Sequence, residues 1–215
     1  MGNDDLFKKN RERNERGLKR KVSFREPNEV ILIVCEGEKT ECNYLKILKD
    51  SLKIQNVRIE INASSDSAPI SVVEFANKFK DKKNYDCIYC VFDKDTHTSF
   101  NEAIDEINKN QKIKHIISSP CFEYWILLHF EYTTKSFGQN GTSPCQELID
   151  KCLKKHLKDY CKNYKFSSNI INANIKTAID NAKKAYENAK NNEFETSYTE
   201  MHILVDKILE LQNKH

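Results

Sequence analysis

The sequence predicts an α/β protein: a parallel four-stranded sheet flanked by helices, with an α-helical C-terminal extension. Three observations predict it. Apolar runs of strand length alternate with helical stripes from about residue 28 to 131. The first run, residues 30–35, contains no polar side chain, the pattern of a strand covered on both faces. Beyond Glu131 only helical spacing recurs. The chain therefore divides into an arm at 1–27, an α/β core near 28–131 and a helical extension over 144–213.

Each element follows from local pattern. Residues 30–35 are β-branched-rich and read as a buried strand, after which Tyr44, Leu45, Leu48 and Leu52 lie on one helical stripe. Val57, Ile59 and Ile61 alternate as a strand, and Val72, Phe75, Ala76 and Phe79 mark the next helix. Residues 85–92 form a third strand ending at Asp93, followed by a helical stripe of Phe100, Ala103, Ile104 and Ile107. Residues 113–117 are the fourth strand. Ser119 and Pro120 then suit N-cap and N1 of a helix running through Trp125, Leu128 and His129. After a Gly/Ser/Thr loop at 137–143, helices are predicted at about 144–160, 173–190 and 199–213.

Composition removes several classes. At 215 residues and a mean hydropathy of −0.71, the chain is one polar domain with an appendage. Its longest apolar run falls far short of the ~18 residues a membrane helix needs, and the N-terminus lacks a signal-like apolar stretch. A soluble cytoplasmic protein, with no membrane partner, is expected. There are five glycines where roughly 15 are usual, and they assemble neither a dinucleotide fingerprint, nor a phosphate-cradling loop, nor a hydrolase nucleophile elbow. The eight cysteines are scattered, mostly within apolar patterns. Cys87 and Cys90 fall on opposite faces of a strand, and no second pair completes a zinc site. The cysteines read as buried thiols in a reducing compartment.

Charge is uneven although the net is only +3. Residues 1–26 hold nine Lys or Arg against five acids, including five of the six arginines. Such an arm fits contact with nucleic acid or an acidic partner, and equally a solvated leader. Residues 151–190 hold ten lysines against three acids, interleaved with Tyr160, Tyr164, Phe166 and Tyr186. That composition suits a surface tracking a nucleic-acid backbone, and also an ordinary solvated helix face.

The candidates for chemistry fall at strand ends. Strand one runs into Glu36-Gly37-Glu38-Lys39-Thr40-Glu41, and strand three into Asp93-Lys94-Asp95-Thr96-His97. In open parallel sheets, ligands bind at the carboxyl ends of strands where strand order switches. A 2-1-3-4 winding brings Glu36, Asp93 and Asp95 to one crevice. Hard oxygen ligands without an arginine nearby favour Mg²⁺ or Mn²⁺; acids capping the following helices are the plainer reading. After strand four, Glu123 is a further ligand, a substrate-positioning group or a dipole-favoured surface acid. His97 is an acid or phosphate-binding group, or an exposed loop histidine.

Three segments carry a family resemblance. They are Cys35-Glu36-Gly37-Glu38-Lys39-Thr40-Glu41 with Tyr44, then Phe92-Asp93-Lys94-Asp95, then Ser118-Ser119-Pro120-Cys121-Phe122-Glu123-Tyr124-Trp125 ending in Leu-Leu-His-Phe. In this order they resemble the RloB-like family over nearly the whole chain. The resemblance implies a Toprim-type domain, the metal-binding fold of topoisomerases, primases and overcoming-lysogenization-defect nucleases, in a restriction or phage-defence setting and often beside a partner ATPase. It further implies Glu36 as the strand-one acid, with Asp93 and Asp95 holding the metal. Position 40 departs from related nucleases, which place an acid four residues after the first; here the acid is Glu41. An assisting lysine of the kind such enzymes use could be Lys94 or Lys176. The function expected is a Mg²⁺-dependent phosphodiesterase acting on DNA or RNA, tRNA included, as an antiphage effector. The alternative is a non-catalytic subunit that docks on an ATPase.

Overall fold

The computed structural model describes residues 29–53, 57–64, 68–80, 85–94, 98–138 and 141–213. The arm at 1–27 lies outside them. β1 (Glu29–Cys35), α1 (Thr40–Leu52), β2 (Val57–Ala63), α2 (Pro69–Lys80), β3 (Cys87–Asp93), α3 (Phe100–Asn108) and β4 (Ile113–Ser119) follow the predicted alternation. The sheet order is β2-β1-β3-β4-β5, and the first four strands are parallel. β1 and β3 are therefore neighbours at the switch in winding, and their carboxyl ends open on the same edge.

The sheet is apolar on both faces. Ile31, Ile33 and Cys35 of β1 and Cys87, Tyr89 and Val91 of β3 point into one hydrophobic cluster. Leu32, Val34, Ile88, Cys90 and Phe92 point into the other, beneath α2 and α3. Strict alternation between two buried faces explains why these strands read as continuous apolar runs. The first face is covered by α1, α4 (Glu123–Leu127), α7 (Ser168–Asn191) and α8 (Met201–Asn213), so the C-terminal helices share a core with the sheet.

Three elements differ from expectation. The sheet has a fifth strand, β5 (Tyr198–Thr199), antiparallel to β4 where a helix start was expected. Two residues carry no readable period. What fixes them is side-chain bonding: the Ser118 and Thr199 hydroxyls lie 2.8 Å apart, and Glu200 Oε2 accepts the Ile117 N–H at 2.9 Å and pairs with His115 at 2.8 Å. Second, Ser119–Pro120 is a cis peptide and α4 begins only at Glu123, because proline suits a turn leaving a strand as well as a first helical position. Third, the helix expected over 144–160 is broken. α5 (Pro144–Leu148) passes through a π-turn at Ile149–Leu153 into α6 (Lys154–His156), and α7 starts at Ser168 behind a Ser167 cap.

The cysteine reading also needs one correction. Cys35, Cys42, Cys87, Cys90 and Cys152 are buried free thiols and Cys161 is exposed, but Cys121 and Cys145 are paired, with Cα atoms 5.7 Å apart. They stand 24 residues apart in sequence, and folding of α5 against α4 brings them together.

Tyr44 centres the larger core. Phe122, Trp125, His129 and Phe166 pack edge-on around its ring at centroid distances of 5.6 to 6.3 Å. His129 Nδ1 lies 3.0 Å from the Trp125 carbonyl, which can only accept, so Nδ1 carries the proton and Nε2 accepts from the Tyr44 hydroxyl at 3.0 Å. Burial holds the His129 imidazole down at about 4.

Replacing Tyr44 with Phe leaves Nε2 buried without a donor and should cost about 1–3 kcal/mol in urea unfolding at pH 7.5. The histidine also sets an acid limit. Its folded pKa lies below the unfolded value of 6.5, so the unfolded chain takes up the proton first. Stability falls as pH drops from about 6.5 to about 4, by roughly 3 kcal/mol in all, and His129→Gln should flatten that part of the stability–pH curve.

Candidate functional site

The carboxyl edge of the sheet gathers the acids. Glu36 continues the ladder beyond β1, donating its backbone N–H to Val91 O at 3.0 Å. Its side chain reaches sideways, and Oε2 accepts the Asp93 N–H at 3.1 Å, tying the ends of β1 and β3 together. The end of β2 joins them: the Ser64 hydroxyl donates to Glu36 O at 3.1 Å and its N–H to Cys35 O at 2.9 Å. Asp93 stands half-buried as the last residue of β3. Asp95 and His97 lie outside the described residues.

Glu41 and Glu123 arrive from helix starts. Glu41 sits in the first turn of α1, its Oε2 within 3.7 Å of the position a side chain at Gly37 would occupy. Glu123 opens α4 and is buried at 4% exposure, so it is not the surface acid that one reading allowed. Its Oε1 accepts from the Tyr160 hydroxyl at 3.0 Å. Its Oε2 lies 3.4 Å from the Cys145 sulfur, a hydrogen bond when Cys145 is a thiol.

Glu41 reports the electrostatics of this edge. Burial first, then the negative charges of Glu123 and Glu36, push its carboxyl up to about 7, while the Lys162 ammonium pulls the other way. Tyr160 is likewise raised by burial and by the Glu123 charge, so it remains a protonated donor. Arg58 pairs with Glu60 and lies toward the amino end of β2, opposite Val30. The acids thus share one edge with no arginine among the described residues beside them.

Two features of this edge escaped the sequence. Lys162, on the segment between α6 and α7, is the lysine whose charge reaches Glu41, and its carbonyl accepts from the Thr40 hydroxyl at 3.2 Å. Lys94 stands over the Tyr198 ring and Lys176 is exposed on α7. Cys121, Glu123 and Cys145 form a mixed group whose ligand atoms all lie within 4.8 Å of one another, the one such group of three among the described residues. Nothing in their spacing marks it. Of the aromatics interleaved with the second basic stretch, Tyr160 and Phe166 are buried in the core, while Lys151, Lys154, Lys183 and Lys190 engage acids.

The raised carboxyl gives a signed prediction. Glu41 binds its proton more tightly in the folded chain than at its ordinary 4.5, so stability declines as pH rises from about 4.5 to about 7. In metal-free buffer Glu41→Gln should therefore melt higher than wild type at pH 8, by about 1–3 kcal/mol. The gap should close below pH 5; equal melting at both pH values would refute the raised Glu41 carboxyl.

No helix among the described residues is long and apolar enough to cross a membrane. No curated protein and no solved structure matches the chain. The model of the RloB-like protein family matches residues 31–208, from within β1 into α8, and so takes in every acid of this edge. The chain belongs to the RloB-like family.

Proposed function

We propose that the chain is a divalent-metal-dependent phosphodiesterase, a nuclease acting on DNA or RNA, and that it serves as an effector of antiphage defence. The observation that carries the chemistry is the meeting of acids at the carboxyl edge: Glu36 Oε2 is tied to the Asp93 N–H at 3.1 Å, and Glu41 is lifted to about 7 by burial first and then by the charges of Glu123 and Glu36. Like charges held together by a fold are relieved by a cation. Oxygen donors select Mg²⁺ or Mn²⁺. The parallel 2-1-3-4 order supports the Toprim-like reading of the α/β core, and membership of the RloB-like family supports the defence setting.

In this reading Glu36 and Asp93, with Asp95, hold the ion. The ion would polarise a phosphodiester and neutralise the leaving oxygen. The chain's own residues have three tasks. The Asp93 N–H fixes the Glu36 carboxylate, Tyr160 fixes Glu123, and Lys162 supplies positive charge beside Glu41 for a phosphate. The exposed Lys162 stands beside this edge, and Lys158 and Lys165, also exposed, lie near it in sequence; such lysines suit a nucleic-acid backbone.

The test is cleavage of tRNA, single-stranded DNA and duplex DNA by the full chain in Mg²⁺ or Mn²⁺, with and without a cognate ATPase. Asp93→Ala should lower the rate roughly 100-fold or more, at 1.36 kcal/mol per decade, while leaving nucleic-acid binding intact. A chain that binds an ATPase equally well before and after that change, and cleaves nothing in either metal, would instead be a docking subunit.

A further inference from the structure

The mixed sulfur and oxygen group shares Glu123 with the acids, but its two sulfurs have no part in the proposed phosphodiester chemistry and are donors of a different class. Cys121 lies in the turn between β4 and α4, Glu123 opens α4, and Cys145 stands in the first turn of α5. Cys121 and Glu123 are buried and Cys145 is half-buried. Three ligand atoms from two segments of the chain, 121–123 and the start of α5, meet within 4.8 Å. Tyr160 already occupies Glu123 Oε1, which orients the carboxylate so that Oε2 faces the sulfurs. The 3.4 Å between Cys145 Sγ and Glu123 Oε2 is close to the ~3.5 Å edge of a tetrahedron with zinc-like bond lengths to sulfur and oxygen.

We propose that Cys121, Cys145 and Glu123 form, in the dithiol state, a binding site for a zinc-class divalent cation, with the fourth position open to water. Thiolate donors select such a cation over Mg²⁺. Binding breaks two S–H bonds and forms two metal–sulfur bonds, and the two protons go to solvent. The Tyr160 hydroxyl acts one step out, holding the carboxylate in place. The paired state competes with this site. When a peroxide oxidises the two thiols, their two electrons and two protons reduce it to two waters, and the sulfurs bonded to each other no longer offer thiolates. Occupancy is therefore under redox control. The inference does not rest on the phosphodiesterase reading.

Co²⁺ is the probe, added to the full chain after reduction by a phosphine and removal of the reductant. Reduced wild type should show one equivalent of thiolate-to-cobalt charge-transfer absorption, bleached by one equivalent of Zn²⁺. Peroxide should abolish the band, and re-reduction should restore it. Cys121→Ser and Cys145→Ser should each weaken the site roughly 100-fold or more, whereas Cys161→Ser, at an exposed thiol outside the group, should change nothing. No band in the reduced wild type overturns the proposal, as does a band that survives in both serine variants. Should either variant fail to fold, the comparison of reduced with oxidised wild type still decides. Mg²⁺-dependent cleavage measured on the same samples separates failure of this site from failure of the proposed activity.

Discussion

Tyr44 is enclosed on all sides by side chains that come from distant parts of the chain: Phe122, Trp125 and His129 from the α4 region and Phe166 from the approach to α7. Aromatic pairs add about 0.5–1.5 kcal/mol each beyond the area they bury, and a close-packed interior tolerates few alternative placements. The enclosure therefore fixes α1 against α4. Glu41 lies one turn before Tyr44, and Glu123 two residues before Trp125. The helix starts that deliver these carboxylates are consequently set by the apolar packing a few ångströms behind them. The hydroxyl–imidazole bond inside the enclosure adds direction, since only one tautomer of His129 satisfies both of its partners.

That packing works against electrostatics. Bringing three carboxylates to one edge costs free energy, and the rise of Glu41, due to burial first and then to the charges of Glu123 and Glu36, reflects that cost. The fold offsets it with single contacts. Asp93 N–H serves Glu36, Tyr160 serves Glu123, and Lys162 faces Glu41. None is an arginine fork, which would neutralise a carboxylate outright and leave it poorly placed to receive a cation.

The sheet was legible because both faces are buried. β1 and β3 had to be apolar over residues 30–35 and 87–92, and such runs stand out in a chain that is 31% charged. Their order at the switch then placed Glu36 and Asp93 together, as residues ending adjacent strands. β5 was not legible: it is held by the Glu200 carboxylate and the Thr199 hydroxyl rather than by an apolar pattern. Lys162 and the Cys121–Cys145 pair were hidden for a related reason. Each depends on how a segment after residue 140 folds back across α1 and α4, and no spacing within one element encodes such a return. Glu123 fell between the cases. Its place at a helix start was readable, but its burial follows from Tyr160 and Cys145, both from that returning segment.

The returning segment thus gives the α/β core its chemical character. Without it, Glu123 would be an acid at an open helix end, stabilised by the helix dipole and well hydrated. With Tyr160 over one oxygen and the Cys145 sulfur near the other, it becomes a buried carboxylate with two differently committed faces. One face is held by a phenol that burial keeps protonated. The other lies beside the Cys145 sulfur, in one group with Cys121, while Glu41 stays near enough to feel the charge of the carboxylate. A cation bound among the oxygens draws on the negative charge of Glu123, whereas one bound between the thiolates takes a lone pair of Oε2 directly. The two compete for a single carboxylate. A sulfur-bound cation would therefore weaken the oxygen site by withdrawing charge from it, and oxidation of the thiols would return that charge.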